Sequence, residues 1–453
     1  MMKAQYPSAE RADVLEKMKA AGVRMVRLQY PDLHGVPRGK IVSVDEFERC
    51  TNDGVAFATG VMGMDLRHLT HLTIEEGIPD MHARPDLSTL VQVPWEPQFA
   101  WCLCDLEEIQ THKPYLVDPR GTLRRSERSF FEIGYAPLIA SEMEFYLMKP
   151  DETAQGRYRR YVELYSPVYT FGSQADPLGI VEKMFEYART MELNAISAFH
   201  EYGRGQYEIN LFHSTALDSA DRAFRFKTLV KEVAVRQGLL ATFMGKPWND
   251  DEGSGFHLHI SLQTTNGENA FYDPHRADGL SDVALHFVAG LLARMPALMA
   301  FLNPTVNAYR RIHMQGLVPT RINWGYDHRF ALIRIPPDRG RSTRIEIRIG
   351  DGTANPYLAY AAVLWAGLEG IRQKMYPPKP ISGLISELPK EEQGPPVPSN
   401  LDDALEALEQ DAELTERLGE ELIRTFLTVK KAEFRRYQQW TSEWELEEYV
   451  HRL

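Results

Sequence analysis

Apolar and polar side chains alternate with period two in four short stretches: Ser141–Phe145, His200–Glu208, Gly255–His259 and Arg344–Arg348. Residues two apart on a β-strand share a face. Glu142 and Glu144 are therefore predicted on one face, as are His257 and His259, and Arg344, Glu346 and Arg348. Met143, Phe145, Phe256, Leu258, Ile345 and Ile347 would turn to a core. One sheet wall would then carry Glu142, Glu144, Glu201, Glu208 and Glu346 with a histidine pair and several arginines. That mixture suits divalent cations bridging to phosphate.

The rest of the pattern is more ordinary. Glu10–Ala21 has helical periodicity, and Val23–Gln29 and Val36–Val44 read as strands around the turn Pro31–Gly35. Val55–Cys104 continues as short apolar pieces between Gly, Pro and Asp breakers, making a small mixed α+β unit. Val117–Gly121 reads as a turn and a boundary, dividing the chain into residues 1–117 and 118–453. Leu123–Ile133 is a predicted helix leading to the strand of Glu142, and strands alternate with long helices up to Tyr376. The proline-rich Pro377–Pro398 is a surface connection. Leu401–His451 is charged and helical, with Ser399 or Asn400 as its N-cap. Ala284–Leu302 is the most apolar long run. It is interrupted by His286, Arg294 and Pro296, so it reads as a buried helix rather than a membrane span.

Composition narrows the class. The 453 residues leave room for two domains or one large catalytic domain with an appendage. A net charge of −12 argues against a general nucleic-acid or anionic-membrane surface. Cys50, Cys102 and Cys104 give no disulfide framework, and Cys102-x-Cys104 lacks zinc spacing with a partner pair. Met1–Tyr6 has no apolar signal region, so a cytoplasmic location is expected.

Seven motifs in order carry a resemblance. They are Asp32–Gly35 with Arg38-Gly39-Lys40, Glu142-x-Glu144, His200-Glu201 to Glu208, Gly253–His259, Asn303-Pro304-Thr305 with Asn307 to Arg311, Trp324-Gly325 to Arg329, and Arg344–Arg348 followed by Asn355–Leu358. In these the chain resembles the glutamine synthetase superfamily, in its bacterial type I-like branch. The resemblance implies an α+β fold: a small N-terminal β-grasp-like domain, then a catalytic domain with a curved antiparallel sheet flanked by helices. It also implies rings of subunits stacked as a homododecamer, with active sites between subunits.

The implied chemistry uses ATP to phosphorylate the γ-carboxylate of glutamate, after which an amine displaces the phosphate. A carboxylate has no leaving group, and phosphoryl transfer needs positioning and charge neutralisation more than a covalent catalyst. By position, Glu144, Glu201 and Glu208 resemble a first metal site, and Glu142, His257 and Glu346 a second. Mg²⁺ or Mn²⁺ is the implied ion, two or three per site. Arg329, Arg334 and Arg348 resemble residues that hold ATP phosphates and the transition state, with His259 on the ATP side. Arg329, Arg348 and Glu346 are the implied catalytic residues. Arg311, Gly253 and Glu208 resemble the glutamate-binding set. Arg329 and Arg334 are five apart, which on an unbroken strand means opposite faces, so a bend or bulge is expected between them. The six metal-type residues argue against an inactive scaffold, and the N-terminal unit argues against a guanido-kinase relative.

Departures from the family pattern point to the amine. Thr59 stands where glutamine synthetases place an ammonium-handling aspartate, and Val61 and Met62 replace two serines. In Gln315–Pro319, Leu317 lies nearest a lost flap glutamate, and Glu252 replaces an asparagine. No counterpart of the type I regulatory tyrosine loop occurs in Pro377–Pro398. Apolar surface offers ammonium nothing, but it covers an organic amine at about 25 cal/mol per Å². Thr59, Val61, Met62, Met64, Asp65 and Leu317 form the expected amine pocket. The chain thus resembles γ-glutamyl-amine ligases, with glutamate, ATP and a small apolar monoamine as expected partners and neither nucleic acid nor membrane. A polyamine would need Asp65 or Glu252 as a distal anion. Plain glutamine synthetase is the alternative, with Asp65 standing in for the lost aspartate.

Overall fold

Two sheets carry the strands of the described residues, the first drawn from residues 25–108 and the second from residues 135–347. The computed structural model describes residues 8–71, 77–153, 157–313 and 317–453, with side chains from Asp13 onward. The Met1–Tyr6 segment lies outside the described residues.

The first sheet has strand order Pro37–Ser43, Met25–Pro31, Phe99–Glu108, Asp80–Pro85, Val55–Ala58, with Val91–Gln92 also on Phe99–Glu108. Phe99–Glu108 runs parallel to Met25–Pro31, and the other pairings are antiparallel. Ala100 to Cys104 are all fully buried. A central strand covered on both faces loses its alternation and becomes one apolar run. All three cysteines are free and buried here, as their composition suggested. Burial pushes the Cys102 thiol up to about 12, so it is inert packing.

The second sheet carries the chemistry. Its order is Trp324–Tyr326, Ile333–Ile335, Ile345–Ile347, Phe256–Thr264, Tyr135–Pro150, Gln206–Thr215, Ala195–His200. Leu240–Thr242 and Tyr158–Arg160 pair with the far end of Tyr135–Pro150. All contacts are antiparallel except Trp324–Tyr326 with Ile333–Ile335. Residues 327–332 separate those two strands, which supplies the expected break between Arg329 and Arg334.

Helices pack behind this sheet. Asp282–Leu302 and Pro356–Arg372 approach backbone to backbone: a methyl on Gly290 would lie 2.1 Å from the Ala366 carbonyl oxygen. Overpacking of this kind costs about 1–3 kcal/mol or more. Asp282–Leu302 is long and apolar enough to cross a membrane, but 83% of its most apolar window is buried within the protein. The sequence reading as a core helix agrees.

Two boundaries differ from expectation. The helix read as Leu123–Ile133 begins earlier, spanning Pro119–Phe131. Asp118 caps it by accepting from Arg120 N at 3.0 Å, and Pro119 occupies its first turn. A proline read as a turn signal was here a helix start. Leu401–His451 divides into Leu401–Gln410, Ala412–Leu418, Glu420–Gln438 and Glu443–Tyr449. Asp411 caps the second of these, and Gly419, at φ +110°, breaks it from the third. Asn400 caps the first, accepting from Asp403 N at 3.1 Å.

Buried charge fastens the two halves. Arg120 pairs with Asp221 at 2.7 Å, with Asp86 at 2.9 Å, and with Asp105. Arg436, near the C-terminus, reaches Asp65 at 2.7 Å.

Candidate active site

Cross-strand register assembles the wall. Glu346 lies opposite both His259 and Arg334, Glu142 opposite both His257 and Asn210, and Glu144 opposite Glu208. Because the side-chain period is two, these directly opposed residues share one face. Glu201 follows the strand Ala195–His200 and bonds through its backbone N–H to Gln206 O at 3.0 Å.

Three groups of ligand atoms result, each within 4.8 Å of one another: Glu144, Glu201 and Glu208; Glu142, Glu208 and His257; and Glu142, His259 and Glu346. The first is the expected first metal set. The second set is regrouped, because His257 sits with Glu142 and Glu208, while Glu346 sits with Glu142 and His259. His259, expected on the ATP side, therefore belongs to the wall as well.

The groups differ in how their charge is balanced. Glu346 already pairs with Arg334 at 2.7 Å and with Arg348. Glu142 bonds His257 Nδ1 at 3.0 Å and His259 Nε2 at 2.8 Å. Burial raises its pKa, but these two bonds outweigh burial and hold it well below the usual carboxylate range. Among the described residues, Glu144, Glu201 and Glu208 make no ion pair with a cationic side chain. Glu144 accepts from Gly255 N at 2.7 Å and Gln206 Nε2 at 3.0 Å. Burial, then the Glu144 charge, pushes Glu201 up to about 8, and burial with Glu142 and Glu144 drives Glu208 up too. Three crowded carboxylates without a cation are the chemistry a hard divalent ion relieves, so these residues fit Mg²⁺ or Mn²⁺.

Arg311 is 3% exposed and donates to Ile349 O at 3.0 Å, and its Nε–H has no partner. Gly253 and Gly255 press against it: a Cβ at Gly253 would stand 2.6 Å from Arg311 Cγ, and one at Gly255 2.9 Å from Arg311 Nη2. Glycine is required there by close approach. An unpaired buried guanidinium N–H beside this loop fits a carboxylate ligand.

Arg329 sits apart. Its side chain is exposed in the segment between two strands, and among the described residues its carbonyl alone is engaged, by Arg348 Nε at 3.0 Å. Arg334 also binds Asp327 at 2.6 Å. A cavity of 560 Å³ adjoins the wall, lined by Glu142, Asn210, Phe212, His259, Arg341 and Arg344, among others.

Asn210 and Gln206 were missed in the sequence. Asn210 continues the period of Glu208 and Gln206 precedes it by two, so the same alternation marks both as wall residues. Both are neutral amides, so a pattern of charged side chains passes over them.

The expected amine pocket is partly corrected. Met62 is 1% exposed and belongs to the core of the N-terminal half. Asp65 is equally buried, binding Arg436, His71 and the N–H groups of Arg67 and Leu69. Those bonds outweigh burial and hold it down to about 2. Met62 thus packs as core, and the Asp65 carboxylate is taken up by partners in its own chain. Thr59 is buried and donates its hydroxyl to Pro79 O at 2.7 Å. Val61 and Met64 are half-buried, and Leu317 is exposed. Gln315 and Gly316 lie outside the described residues. Among the described residues, no hydrogen bond or ion pair joins Thr59–Asp65 to the acidic wall.

Comparison with known proteins agrees with this geometry. Residues 116–449 match the family described as glutamine synthetase, catalytic domain. The chain is 36% identical to the glutamine synthetase of Pyrococcus woesei, over 94% of this chain and 96% of that one. It is 36% identical to that of Thermus thermophilus, over 97% and 98%. Among solved structures it is similar to the GmaS/ADP complex, with TM-score 0.87, 31% identity and coverage of 97% and 99%. Apo GmaS gives TM-score 0.86 and 31% identity over 97% and 100%.

Proposed function

The chain belongs to the glutamine synthetase family of ATP-dependent ligases, and from that premise we propose that it joins the γ-carboxylate of L-glutamate to an organic amine, giving a γ-glutamylamide, ADP and phosphate. The observation carrying this reading is the junction of the 560 Å³ cavity with the acidic wall through Glu142 and His259. ATP seated in that cavity directs its terminal phosphate at the carboxylates. Glu142, Glu144, Glu201, Glu208, His257 and Glu346 would hold divalent cations, whose chemistry there would be the charge neutralisation that transfer between two anions requires. Arg334 and Arg348, fixed on Glu346, keep their guanidinium planes beside the transferring group. The Arg329 side chain, with no hydrogen bond or ion pair among the described residues, closes on the phosphate when it arrives. Arg311 takes the α-carboxylate of glutamate, with Gly253 at its amino end. The amine then attacks the γ-glutamyl phosphate: a C–N bond forms, the C–O bond to phosphate breaks, and the amine's proton passes to solvent.

The organic amine is favoured by Thr59, a neutral buried hydroxyl, and by Leu317, where the family's ammonium-handling carboxylates are missing. The similarity to GmaS, whose solved structures include an ADP complex, supports a nucleotide seat in this fold. Since among the described residues Thr59–Asp65 makes no hydrogen bond or ion pair to its own wall, we assign Thr59, Val61 and Met64 to the active site of a neighbouring subunit in a ring assembly, a homododecamer. Glutamine synthesis from ammonium is the second reading, favoured by the names of the curated relatives. The test is ATP-dependent phosphate release with glutamate across ammonium, methylamine, longer alkylamines and aryl amines, with each product weighed by mass spectrometry. Faster release with ammonium than with every organic amine would leave the second reading standing alone.

A further inference from the structure

Between the N-terminal half and the catalytic half lies a second cavity, of 210 Å³, which shares no lining residue with the 560 Å³ cavity or the acidic wall. Its wall combines Lys227, Lys231 and Lys430 with Leu33, Phe243 and Phe426. Lys227 and Lys231 stand one turn apart on the helix Ala216–Arg236, with their ammonium groups 5.4 and 6.0 Å from the centre of the same Phe243 ring. Lys227 donates to the Ala354 carbonyl at 2.9 Å. Among the described residues neither lysine makes an ion pair. Asp351 is the acid whose field Lys227 feels, and it stands beyond pairing distance.

The third lysine is differently placed. Lys430 pairs with Glu433 at 2.9 Å and reaches His34 Nδ1 at 3.1 Å, while His34 Nε2 lies 3.2 Å from Met64 O. An imidazole that accepts from an ammonium and donates to a carbonyl is neutral. Burial and the Lys430 charge agree, taking His34 down to about 3. The uncompensated charge is thus concentrated at Lys227 and Lys231. Burial, then the Lys231 charge, pushes Lys227 down to about 7, the response of an ammonium enclosed without a counter-ion.

We propose that this inter-unit cavity binds a small organic carboxylate, with its carboxyl group held by Lys227 and Lys231 and its short carbon skeleton lying on Leu33, Phe243 and Phe426. Inorganic anions satisfy the lysines but gain nothing from the aromatic and aliphatic walls. A carboxylate with a short alkyl chain uses both. Its seat touches both halves of the chain, so occupation ties the N-terminal half to the catalytic half.

The experiment is calorimetric titration of the full-length protein, without ATP or added divalent metal, using butanoate, hexanoate, inorganic phosphate, chloride and butylamine. Butanoate lacks the amino group and second carboxyl of glutamate, which separates this site from the one at Arg311. Saturable binding of butanoate or hexanoate at one site per chain is expected, at least tenfold tighter than phosphate, with none for butylamine. Lys227→Met and Lys231→Met should each weaken it tenfold or more and leave ATP-dependent phosphate release unchanged. Lys231 is exposed, so its variant keeps the fold even if Lys227→Met does not. Absence of saturable carboxylate binding, binding unaffected by Lys231→Met, or phosphate binding as tight as hexanoate would each overturn the proposal. None of these outcomes depends on which amine the enzyme uses.

Discussion

The acidic wall and the lysine cavity are both clusters of like charge, and they are built in opposite ways. The wall draws its groups from adjacent strands of one sheet, where period two and antiparallel register oblige Glu142, His257, Glu346 and His259 to meet. The lysine cavity draws on loops of the N-terminal half and on four helices, a short strand and loops of the catalytic half. The wall also supports itself, since Arg334, Arg348 and the two histidines neutralise Glu346 and Glu142 and leave a net demand for cations at Glu144, Glu201 and Glu208. Among the described residues the lysines have one carbonyl, a ring face, the His34 imidazole and one glutamate. Sheets make charged sites that are pre-ordered and legible, while junctions between units make charged sites that only the folded chain reveals.

The sharpest way to break the comparison is to remove one ligand from each cluster. Glu144→Ala leaves Glu201 and Glu208 without the third oxygen donor. It should lower ATP-dependent phosphate release about a thousandfold, some 4 kcal/mol of lost transition-state stabilisation. Glu346→Ala should do the same and also release Arg334 and Arg348. Lys231→Met, in the other cluster, should retain full turnover. Circular dichroism and subunit mass must stay unchanged for the contrast to count. Comparable turnover by Glu144→Ala and Lys231→Met would dissolve the distinction.

A smaller effect should follow at Arg329, the exposed arginine that belongs to neither cluster's fixed network. Arg329→Lys keeps the charge but loses the fork that tracks phosphate oxygens. Maximal rate should fall roughly ten- to a hundredfold, with little change in KM for the amine. A shift confined to that KM would place Arg329 away from the phosphate.

About tenfold is the change expected from restoring anions to the amine side, an estimate that follows from the modest worth of one compensating charge. Thr59→Asp with Leu317→Glu should move preference toward ammonium, read as the ratio of kcat/KM for ammonium to that for methylamine. Thr59 is buried against Pro79 O, so Leu317→Glu alone provides the control that cannot disturb packing. An unchanged ratio in both variants would detach amine choice from these positions.

Legibility in the sequence follows the same division. The ordered motifs and alternating glutamates made the catalytic sheet and its metal-type residues readable, because a strand's period is short and exact. The pairing of His259 with Glu346 was not readable, since it depends on which strands are neighbours. Asp65 shows the limit at its plainest: as a free aspartate near the amine segment it invited a substrate role, but its partner Arg436 lies 371 positions away. The helix start at Asp118-Pro119 failed for a local reason, because proline both ends structure and opens helices.

Asp118 leaves turnover untouched and tests whether burial itself sets stability where the two halves meet. Its carboxylate accepts from Arg120 N at 3.0 Å and Leu106 N at 3.3 Å. Burial, then the Asp105 charge, raises it from 3.8 to about 6. For an acid whose folded pKa is raised, the folded state holds the proton longer than the unfolded one. Stability therefore falls as pH climbs from about 4 to about 6, and the full cost, of order 3 kcal/mol, applies above that window. Asp118→Asn cannot ionise, so it escapes this term while losing one accepted hydrogen bond at every pH. The variant should melt below the parent at pH 4, and the gap should narrow or reverse by pH 7, by a few degrees in a chain of this size. The other titrating groups, the acidic wall included, are common to both proteins and cancel in the difference. A gap that stays constant from pH 4 to pH 7 would mean that Asp118 titrates normally and that the Arg120 network, not its own burial, sets its ionisation.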